Sequence, residues 1–410
     1  MSIAFLQLAV PVAVFTAVVI LLSLLVLVAR HWLAPAGAVQ IVVNGQRRFS
    51  AEAGSRLLGT LSRNGIYLSA ACGGRGTCGQ CRVFVRAGSR PLLPTEASHI
   101  GRQDAERGAR LACMFTLRED IAIEVDRDLL AARRWDCTVS SNRFVAPFLR
   151  ELTLAMPEGE QLEFEAGDYV LLEAPPHDVT LGEKEIDAAV RDDWQRVGFL
   201  GLRSVTSEAV VRAYSLANAP QQSDRAVLVV RFAAPPPQAD PGTPPGKASS
   251  YVFSLKPGDH VTISGPFGEF HATDSEAEMV LIAGGAGIAP IRSMILDQLA
   301  RGTGRRIGFW YGARDVQDLC YREDFDRLAE QYPNFSWHAA LSAPRGQDWH
   351  GATGFIHTVA YEQYLKNHPT PEQAEYFLCG PPLMSAAVVH MLEDLGVPDD
   401  SIYFDDFGSV

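Results

Sequence analysis

Cysteine is scarce in this sequence and unevenly distributed. The 410 residues include seven cysteines, and four of them fall between Cys72 and Cys113. A long chain with few, clustered cysteines is not built on a disulfide framework and more often binds a metal. We therefore expect the bulk of the chain in a reducing compartment, and its length predicts two or three domains.

An overall excess of positive charge is also missing. The formal net charge is −12, which argues against a nucleic-acid-binding protein. Met1 to Arg127 carries 14 basic and 8 acidic residues, a net charge of +6. The rest of the chain carries 22 basic and 40 acidic residues, a net charge of −18. A basic N-terminal part suits anionic lipid headgroups or an acidic partner, and ordinary surface variation explains it equally well.

Charged residues are absent between Ile3 and Ala29. This run is longer than the roughly 20 apolar residues that span a bilayer core, so it predicts a transmembrane helix. A signal peptide would normally carry a basic segment ahead of its apolar run, but the first basic residue here, Arg30, follows the run. The positive-inside rule then predicts a single-pass anchor with the body of the protein in the cytoplasm.

The ten histidines are dispersed, and no Ser/His/Asp order or paired-carboxylate signature stands out. Hydrolytic chemistry and a histidine-bound metal are therefore not expected.

The region after the apolar run begins with the pattern of a β-hairpin. Val39 to Val43 is rich in β-branched residues, Asn44-Gly45 is a typical hairpin turn, and Gln46 to Ser50 predicts the second strand. A short helix is expected near Arg56 to Asn64.

A glycine-rich cysteine loop follows. Its cysteines are spaced C-x5-C-x2-C, and 31 residues separate the last of them from Cys113. Four thiolates favour iron–sulfur or zinc, and the interleaved glycines let the backbone direct N–H groups at cluster sulfurs, which a zinc site does not need. The loop resembles that of [2Fe–2S] ferredoxins, although the plant-type loop is one residue shorter. This resemblance makes the cluster ligands Cys72, Cys78, Cys81 and Cys113.

The segment Arg212-Ala213-Tyr214-Ser215 resembles the Arg-x-Tyr-Ser motif of the ferredoxin–NADP reductase superfamily. The resemblance implies that Arg212 contacts the FAD pyrophosphate, Tyr214 packs on the isoalloxazine, and Ser215 reaches flavin N5. A planar guanidinium suits a diphosphate, and an aromatic ring suits a flavin face. Taken alone, the motif is also compatible with an ordinary strand.

A second phosphate-binding segment is expected at Gly246 to Tyr251, which resembles the corresponding segment of the superfamily. Gly246 and Ser249 would meet the pyrophosphate at a helix start. The charged stretch from about 177 to 208 is longer than the usual connection, and the sequence assigns it no role.

Nicotinamide binding is predicted from a buried-type strand, Met279 to Ala283, which a glycine turn and a helical pattern follow. This geometry places a dinucleotide pyrophosphate over the helix N-terminus. The residues expected there are Gly284, Gly285, Gly287 and Pro290.

A further strand leads to Cys379-Gly380-Pro381, which resembles the superfamily segment near the nicotinamide. Cys379 and Gly380 are expected beside NAD, with Ser215 and Cys379 next to hydride transfer; the alternative for Cys379 is a small buried residue at a strand end. Asp315 is expected near the adenosine ribose, where an acidic group favours a free 2′-hydroxyl over a 2′-phosphate, whereas the adjacent Arg314 favours the phosphate. By resemblance, Phe407 covers the flavin ring.

Several further features are shared with one family: the C-x5-C-x2-C spacing, the long insert before segment 212–218, the proline-rich stretch 233–246, and the segments Gly265–Phe270, Trp310–Arg314 and Asp405–Gly408. By these features the chain resembles, across essentially its full length, the F subunits of the sodium-translocating NADH:quinone oxidoreductases. The resemblance implies that NADH reduces FAD, that FAD reduces the [2Fe–2S] cluster, and that electrons pass to other membrane subunits and indirectly to quinone. It implies a multidomain protein of the bacterial inner membrane, with a transmembrane anchor (1–31), a β-grasp ferredoxin domain (36–128), an antiparallel β-barrel FAD domain (130–272) and an α/β Rossmann-like NADH domain (273–410).

Two other interpretations remain at this point. A reductase component of a multicomponent oxygenase shares both redox domains but is usually soluble. The apolar N-terminal run therefore argues against this interpretation and for a membrane protein. A cofactor-free membrane adaptor would keep the fold without the motifs, and the intact cysteines and flavin motif argue against it.

Overall fold

The computed structural model describes residues 14–25, 37–68, 70, 72–88, 91–125, 132–236, 238–240, 242–346 and 349–405. These residues form two compact units. One contains the described residues up to Gly65 and those from Arg82 to Val125, and the other contains Ile66–Cys81 and the described residues from 132 onwards.

Residues 14–25 are helical (α1), and their side chains are exposed. None of the helices that the structure describes has the length and hydropathy of a membrane span. The remaining residues of the expected Ile3 to Ala29 span lie outside the described residues.

The first unit is built on a mixed sheet in the order β2-β1-β5-β3-β4. The predicted hairpin is present, with Asn44 and Gly45 at φ 51° and 70° in the turn, and β1 also pairs in parallel with β5. This mixed pairing beside a helix is the β-grasp arrangement that the sequence predicts. The elements are β1 (Ala38–Val43), β2 (Arg47–Glu52), α2 (Leu57–Arg63), β3 (Arg82–Ala87), α3 (Arg102–Glu106), β4 (Ala109–Leu111) and β5 (Ile121–Glu124).

The second unit begins with an antiparallel sheet in the order β11-β8-β13-β6-β7-β12. Beyond β11, Leu216 bridges to Leu228 of β12, and the Ala217 N–H donates to the Val227 carbonyl at 2.8 Å, so the two outer strands meet as in a barrel. The elements are β6 (Arg133–Ala146), β7 (Leu149–Ala155), β8 (Tyr169–Ala174), β11 (Val210–Ser215), β12 (Arg225–Arg231), α5 (Lys247–Ser254) and β13 (His260–Phe267).

The long stretch between β8 and β11 is ordered. It contains the antiparallel pair β9 (His177–Thr180) and β10 (Arg203–Thr206), with helix α4 (Ala188–Arg196) between them. The Asp187 side chain caps α4 by accepting from the Ala189 N–H. The fully buried Trp194 fixes the helix to the barrel by donating from its indole N–H to the Pro147 carbonyl at 2.6 Å.

The C-terminal part is a parallel sheet in the order β17-β16-β15-β14-β18-β19. Its central strand is buried throughout, as the continuous apolar run predicts for a parallel sheet. The chain moves outward from β14 through β15 and β16, and then continues on the other side with β18. The topological switch point therefore lies between β14 and β18, where α/β proteins bind ligands.

The elements of this part are β14 (Met279–Gly284), α6 (Ile288–Ala300), β15 (Ile307–Ala313), α7 (Arg322–Gln331), β16 (Phe335–Leu341), β17 (Ala352–Thr353), α8 (Ile356–Gln363), β18 (Glu375–Cys379), α9 (Pro382–Asp394) and β19 (Ile402–Asp405).

Candidate active site at the sheet switch point

The predicted glycine turn and the predicted Cys-Gly-Pro segment meet at the switch point. A Cβ atom on Gly287 would lie 2.1 Å from the Cys379 carbonyl oxygen, and one on Gly380 would lie 3.1 Å from the Gly284 nitrogen. Only residues without side chains allow these backbones to approach so closely. The turn is a short 3-10 helix, Gly285–Gly287, and Gly285 has a φ of +57°.

Ser215 and Cys379 are linked by an aspartate that sequence motifs do not assign. The Ser215 hydroxyl donates to Asp405 Oδ2 at 3.4 Å. Asp405 ends β19, directly opposite Cys379 at the end of β18. Ser215 is 4% exposed and Cys379 is fully buried. The ends of three strands from the barrel and the parallel sheet thus come together, and Phe407 lies outside the described residues.

Helix α6 is attached to the chain that follows the flavin motif. The Arg292 guanidinium donates to the Ala217 carbonyl at 2.6 Å, and the Ser293 hydroxyl donates to the Asn218 carbonyl at 2.7 Å. Pro290 is buried in the first turn of the same helix. These bonds fix the position of the glycine turn relative to Ser215.

Arg212 is a partly buried cation on β11. Its guanidinium donates to the Val211 carbonyl at 2.7 Å. Burial lowers the pKa of Arg212, and the positive charge of Arg75 lowers it further. In the described part of the chain Arg212 forms no ion pair with an acid. A guanidinium with this environment fits a diphosphate group.

The Gly246 segment begins helix α5, as predicted. The Ser249 hydroxyl donates to the Gly246 carbonyl at 3.0 Å and accepts from the Ala233 N–H at 3.1 Å. Ser249 therefore uses its proton to hold the loop. The buried Ser250 hydroxyl next to it has no hydrogen-bond partner among the described residues. The first N–H groups of a helix lack intrahelical acceptors, so this start also suits a phosphate.

Tyr214 lies between Arg212 and Ser215 on β11. Burial raises the pKa of its phenol, so the side chain stays neutral. Its ring packs against the hydrophobic core of the barrel.

The cysteine loop has the wrapped backbone that its glycines predict. Burial raises the pKa of the Cys72 thiol, but hydrogen bonds from the backbone of Thr77, Cys78 and Arg75 and from the Cys78 thiol outweigh it and lower the pKa to about 6. Burial raises the pKa of Cys78. Four glycines of the loop have positive φ angles, namely Gly73, Gly74, Gly76 and Gly79. The backbone N–H groups therefore stabilise a thiolate at Cys72, as an iron–sulfur ligand requires.

The same loop contacts the flavin strand. A Cβ atom on Gly73 would lie 1.6 Å from Nη1 of Arg212 and 3.1 Å from the Val211 carbonyl oxygen. The absence of a side chain at Gly73 is thus what lets the cysteine loop approach the Arg212 guanidinium.

Cys113 follows β4 in the first unit and is buried. The fully buried Glu96 carboxylate accepts from the Leu111 N–H at 2.8 Å, and the Leu58 N–H donates to the Ala112 carbonyl at 3.1 Å. The described side chains contain no group of three or more His, Cys, Asp or Glu arranged to hold a metal ion. The donor set itself, four thiols of which Cys72, Cys81 and Cys113 are buried, fits a [2Fe–2S] cluster.

A cavity of about 360 Å³ lies beyond the carboxyl end of β15 and is lined by Arg196, Asp315, Val316, Gln317, Arg345 and Trp349. Asp315, which the sequence places at the ribose, is 3% exposed. Its carboxylate accepts from the Val316 N–H at 2.9 Å and from the Arg345 N–H and Nε at 3.0 and 2.5 Å. Both Asp315 oxygens thus accept from the protein's own donors, and its position near the ribose stays a prediction.

Comparison with known families divides the chain into three matched regions. Residues 41–118 match the 2Fe-2S iron-sulfur cluster binding domain, residues 197–272 the oxidoreductase FAD-binding domain, and residues 281–390 the oxidoreductase NAD-binding domain. The FAD match begins just after the end of α4, so most of the long stretch before it lies outside the family pattern.

Similar curated proteins cover nearly the whole chain. A protein of Neisseria meningitidis is 49% identical over 399 residues, covering 97% of this chain and 98% of its own. A protein of Idiomarina loihiensis is 50% identical over 401 residues, covering 97% of this chain and 98% of its own. Both are named as the F subunit of the Na(+)-translocating NADH-quinone reductase.

Among solved structures, the Amycolatopsis cytochrome P450 reductase GcoB is similar, with a TM-score of 0.62 and 27% identity, covering 90% of this chain and 98% of its own. The ferredoxin reductase in carbazole 1,9a-dioxygenase has a TM-score of 0.60 and 23% identity, covering 90% of this chain and 98% of its own. At this identity the similarity shows that the two proteins have the same fold.

Proposed function

This chain belongs to the F subunits of the Na(+)-translocating NADH-quinone reductases, and we propose how its own residues perform the family's electron input. The chain is an NADH-oxidising oxidoreductase with FAD- and NAD-binding domains and a [2Fe–2S] domain. FAD accepts a hydride from NADH and releases electrons singly, and the [2Fe–2S] cluster carries them onward.

The observation that supports this proposal most strongly is the junction of Ser215, Asp405 and Cys379. Ser215 belongs to the flavin motif, whereas Cys379 belongs to the nicotinamide segment, and Asp405 contacts the first and pairs with the strand of the second. Flavin and nicotinamide must be adjacent for hydride transfer. Asp405 thus joins the two motifs, as the adjacency of the two cofactors requires.

The sheet topology supports one orientation of the bound NADH. The pyrophosphate would lie over the glycine turn, Gly284 to Gly287, at the N-terminus of α6, where backbone N–H groups favour anions. The nicotinamide would extend towards Cys379 and Gly380 on β18, since Ser215 is on that side. The adenosine would extend the opposite way, over the end of β15.

The flavin would be held by the barrel. Arg212 would bind the pyrophosphate together with the Gly246–Ser249 start of α5, where Ser249 holds the loop and backbone N–H groups face the phosphate. Tyr214 would pack on the ring, and Ser215 would reach flavin N5. By resemblance, Phe407 would cover the flavin ring where the nicotinamide must stack.

We assign the [2Fe–2S] cluster to Cys72, Cys78, Cys81 and Cys113. The low pKa of Cys72 favours the thiolate that binds iron. The contact of Gly73 with Arg212 keeps the cysteine loop against the strand that carries the flavin motif.

The membrane and partner roles follow from the relatives' names and the sequence. Ile3 to Ala29 would anchor the chain once in the bacterial inner membrane, with the body in the cytoplasm. Other membrane subunits would take the electrons and carry out the quinone and sodium chemistry, because no ionisable residue lies within this apolar run.

A second candidate, a reductase for an oxygenase, is favoured by the similarity to GcoB. Its 27% identity is well below the 49% shared with the Neisseria meningitidis relative over 97% of the chain. The apolar N-terminal run adds to the preference for the membrane role.

Truncation at Pro35 separates the redox function from the membrane function. We expect the shortened protein to be soluble and to oxidise NADH with an artificial acceptor at the rate of the full chain, because both redox domains are retained. Electron delivery to quinone in membranes should be lost. Activity with the artificial acceptor is the control, and a full-length protein that fractionates as soluble without detergent would contradict the anchor.

A further inference from the structure

The long stretch before β11 reaches the cavity at the end of β15 through Asp193. This aspartate lies on α4 beside the buried Trp194, and its side chain is 8% exposed. It forms an ion pair with Arg196 on the next turn, and its Oδ1 lies 3.6 Å from Nη2 of Arg345. The helix is fixed by the indole of Trp194, so the aspartate is held at this position.

Arg345 is consequently shared between two acids. Its Nε donates to Asp315 Oδ2 at 2.5 Å, while Asp193 lies on its other side. The guanidinium is 49% exposed and lines the cavity, as does Arg196. Asp318 adds another carboxylate, which accepts from the Asp315 N–H at 3.1 Å. Both guanidiniums of the cavity are therefore paired with carboxylates before any ligand arrives.

The pairing of both guanidiniums with carboxylates bears on the choice between NADH and NADPH. NADH and NADPH differ only by a phosphate on the adenosine ribose, and a phosphate needs an available guanidinium. A free 2′-hydroxyl has no such need. The aromatic face of Trp349, fixed by its N–H bond to the Ala352 carbonyl at 2.9 Å, can accept an adenine in either case.

We propose that Asp193 is a specificity-determining residue that makes the adenosine cavity select NADH over NADPH by neutralising Arg196 and Arg345, the two guanidiniums that would otherwise attract a 2′-phosphate. The inference rests on the proposed function, because that proposal places the adenosine over β15. It also gives the stretch from about 177 to 208 a role, since α4 brings Asp193 to the NADH domain.

The test is Asp193→Asn in the full-length protein, compared with Asp192→Asn. Asp192 is the neighbouring residue on the same helix, so its substitution removes the same charge without touching Arg345. We expect Asp193→Asn to lower the KM for NADPH roughly tenfold, the effect of about 1.4 kcal/mol, and to leave the KM for NADH within about twofold. Equal KM ratios for the two variants would overturn the proposal.

A second measurement does not depend on a variant. Competitive inhibition of NADH oxidation by 5′-AMP and by 2′,5′-ADP probes the cavity of the unaltered protein. We expect 5′-AMP to bind at least as tightly as 2′,5′-ADP. An inhibition constant for 2′,5′-ADP that is about tenfold lower than that for 5′-AMP would overturn the proposal. Failure of NADH oxidation itself would instead count against the proposed function, so the two outcomes are distinct.

Discussion

At the scale of the residue, the chemistry depends on contacts that local sequence does not contain. The wrapped backbone of the cysteine loop was predictable because its cysteines and glycines are neighbours in the chain. Asp405 was not, because its partner Ser215 is 190 residues away. Cys137 and Cys320 match no motif and are structural by interpretation, which fits their complete burial and the rise of the pKa of each thiol to about 12 that burial causes.

Asp405→Asn tests the Ser215 contact. An asparagine keeps the shape but cannot take up the proton that reoxidation of the reduced flavin would release through Ser215, so we expect slower turnover. Turnover with a one-electron acceptor should fall about 100-fold, the lower end of general acid–base effects. The KM for NADH should stay within about twofold, because no contact with the nucleotide is removed.

Steady-state kinetics with Asp400→Asn as the exposed control would check this expectation. Unchanged turnover in the Asp405 variant would show that the carboxylate does not take up the flavin proton.

At the scale of the element, buried apolar runs and turn residues correctly predicted where strands, turns and helices form. The strand from Met279, the glycine turn and the helix after it are present, and the hairpin at Asn44-Gly45 has its expected turn. Helix α4 was not predicted as a helix, because its exposed face is highly charged and only Trp194 and Asp193 are buried. Its position depends on the Pro147 carbonyl, a partner that is remote in sequence.

Gly287→Ala tests the packing of the glycine turn against β18. The added methyl group would lie 2.1 Å from the Cys379 carbonyl oxygen, so one backbone must move. We expect a loss of about 1–3 kcal/mol in the free energy of unfolding and a higher KM for NADH.

Gly304→Ala is the matched control, because a Cβ atom there meets nothing within 4 Å. Thermal unfolding and NADH titration would compare the two variants. Equal stability and equal KM would mean that the turn and the Cys379 segment are not packed together in solution.

At the scale of the whole molecule, the order of the ferredoxin, FAD and NAD regions was readable from motifs alone, and the family matches follow the same order. The association of Ile66–Cys81 with the unit that contains the barrel was not readable, because it depends on the fit of Gly73 against Arg212. These regions carry out a fixed order of electron transfer, from NADH to FAD and from FAD to the [2Fe–2S] cluster.

The most direct test mixes NADH rapidly with the full-length protein and with Cys78→Ala, under anaerobic conditions. The variant should lose the electron paramagnetic resonance signal of a reduced [2Fe–2S] cluster, because one thiolate ligand is gone. Its flavin absorbance should still bleach at the rate of the unaltered protein, since the junction of Ser215, Asp405 and Cys379 is untouched. A normal cluster signal in the variant, or flavin that NADH no longer reduces, would contradict the account.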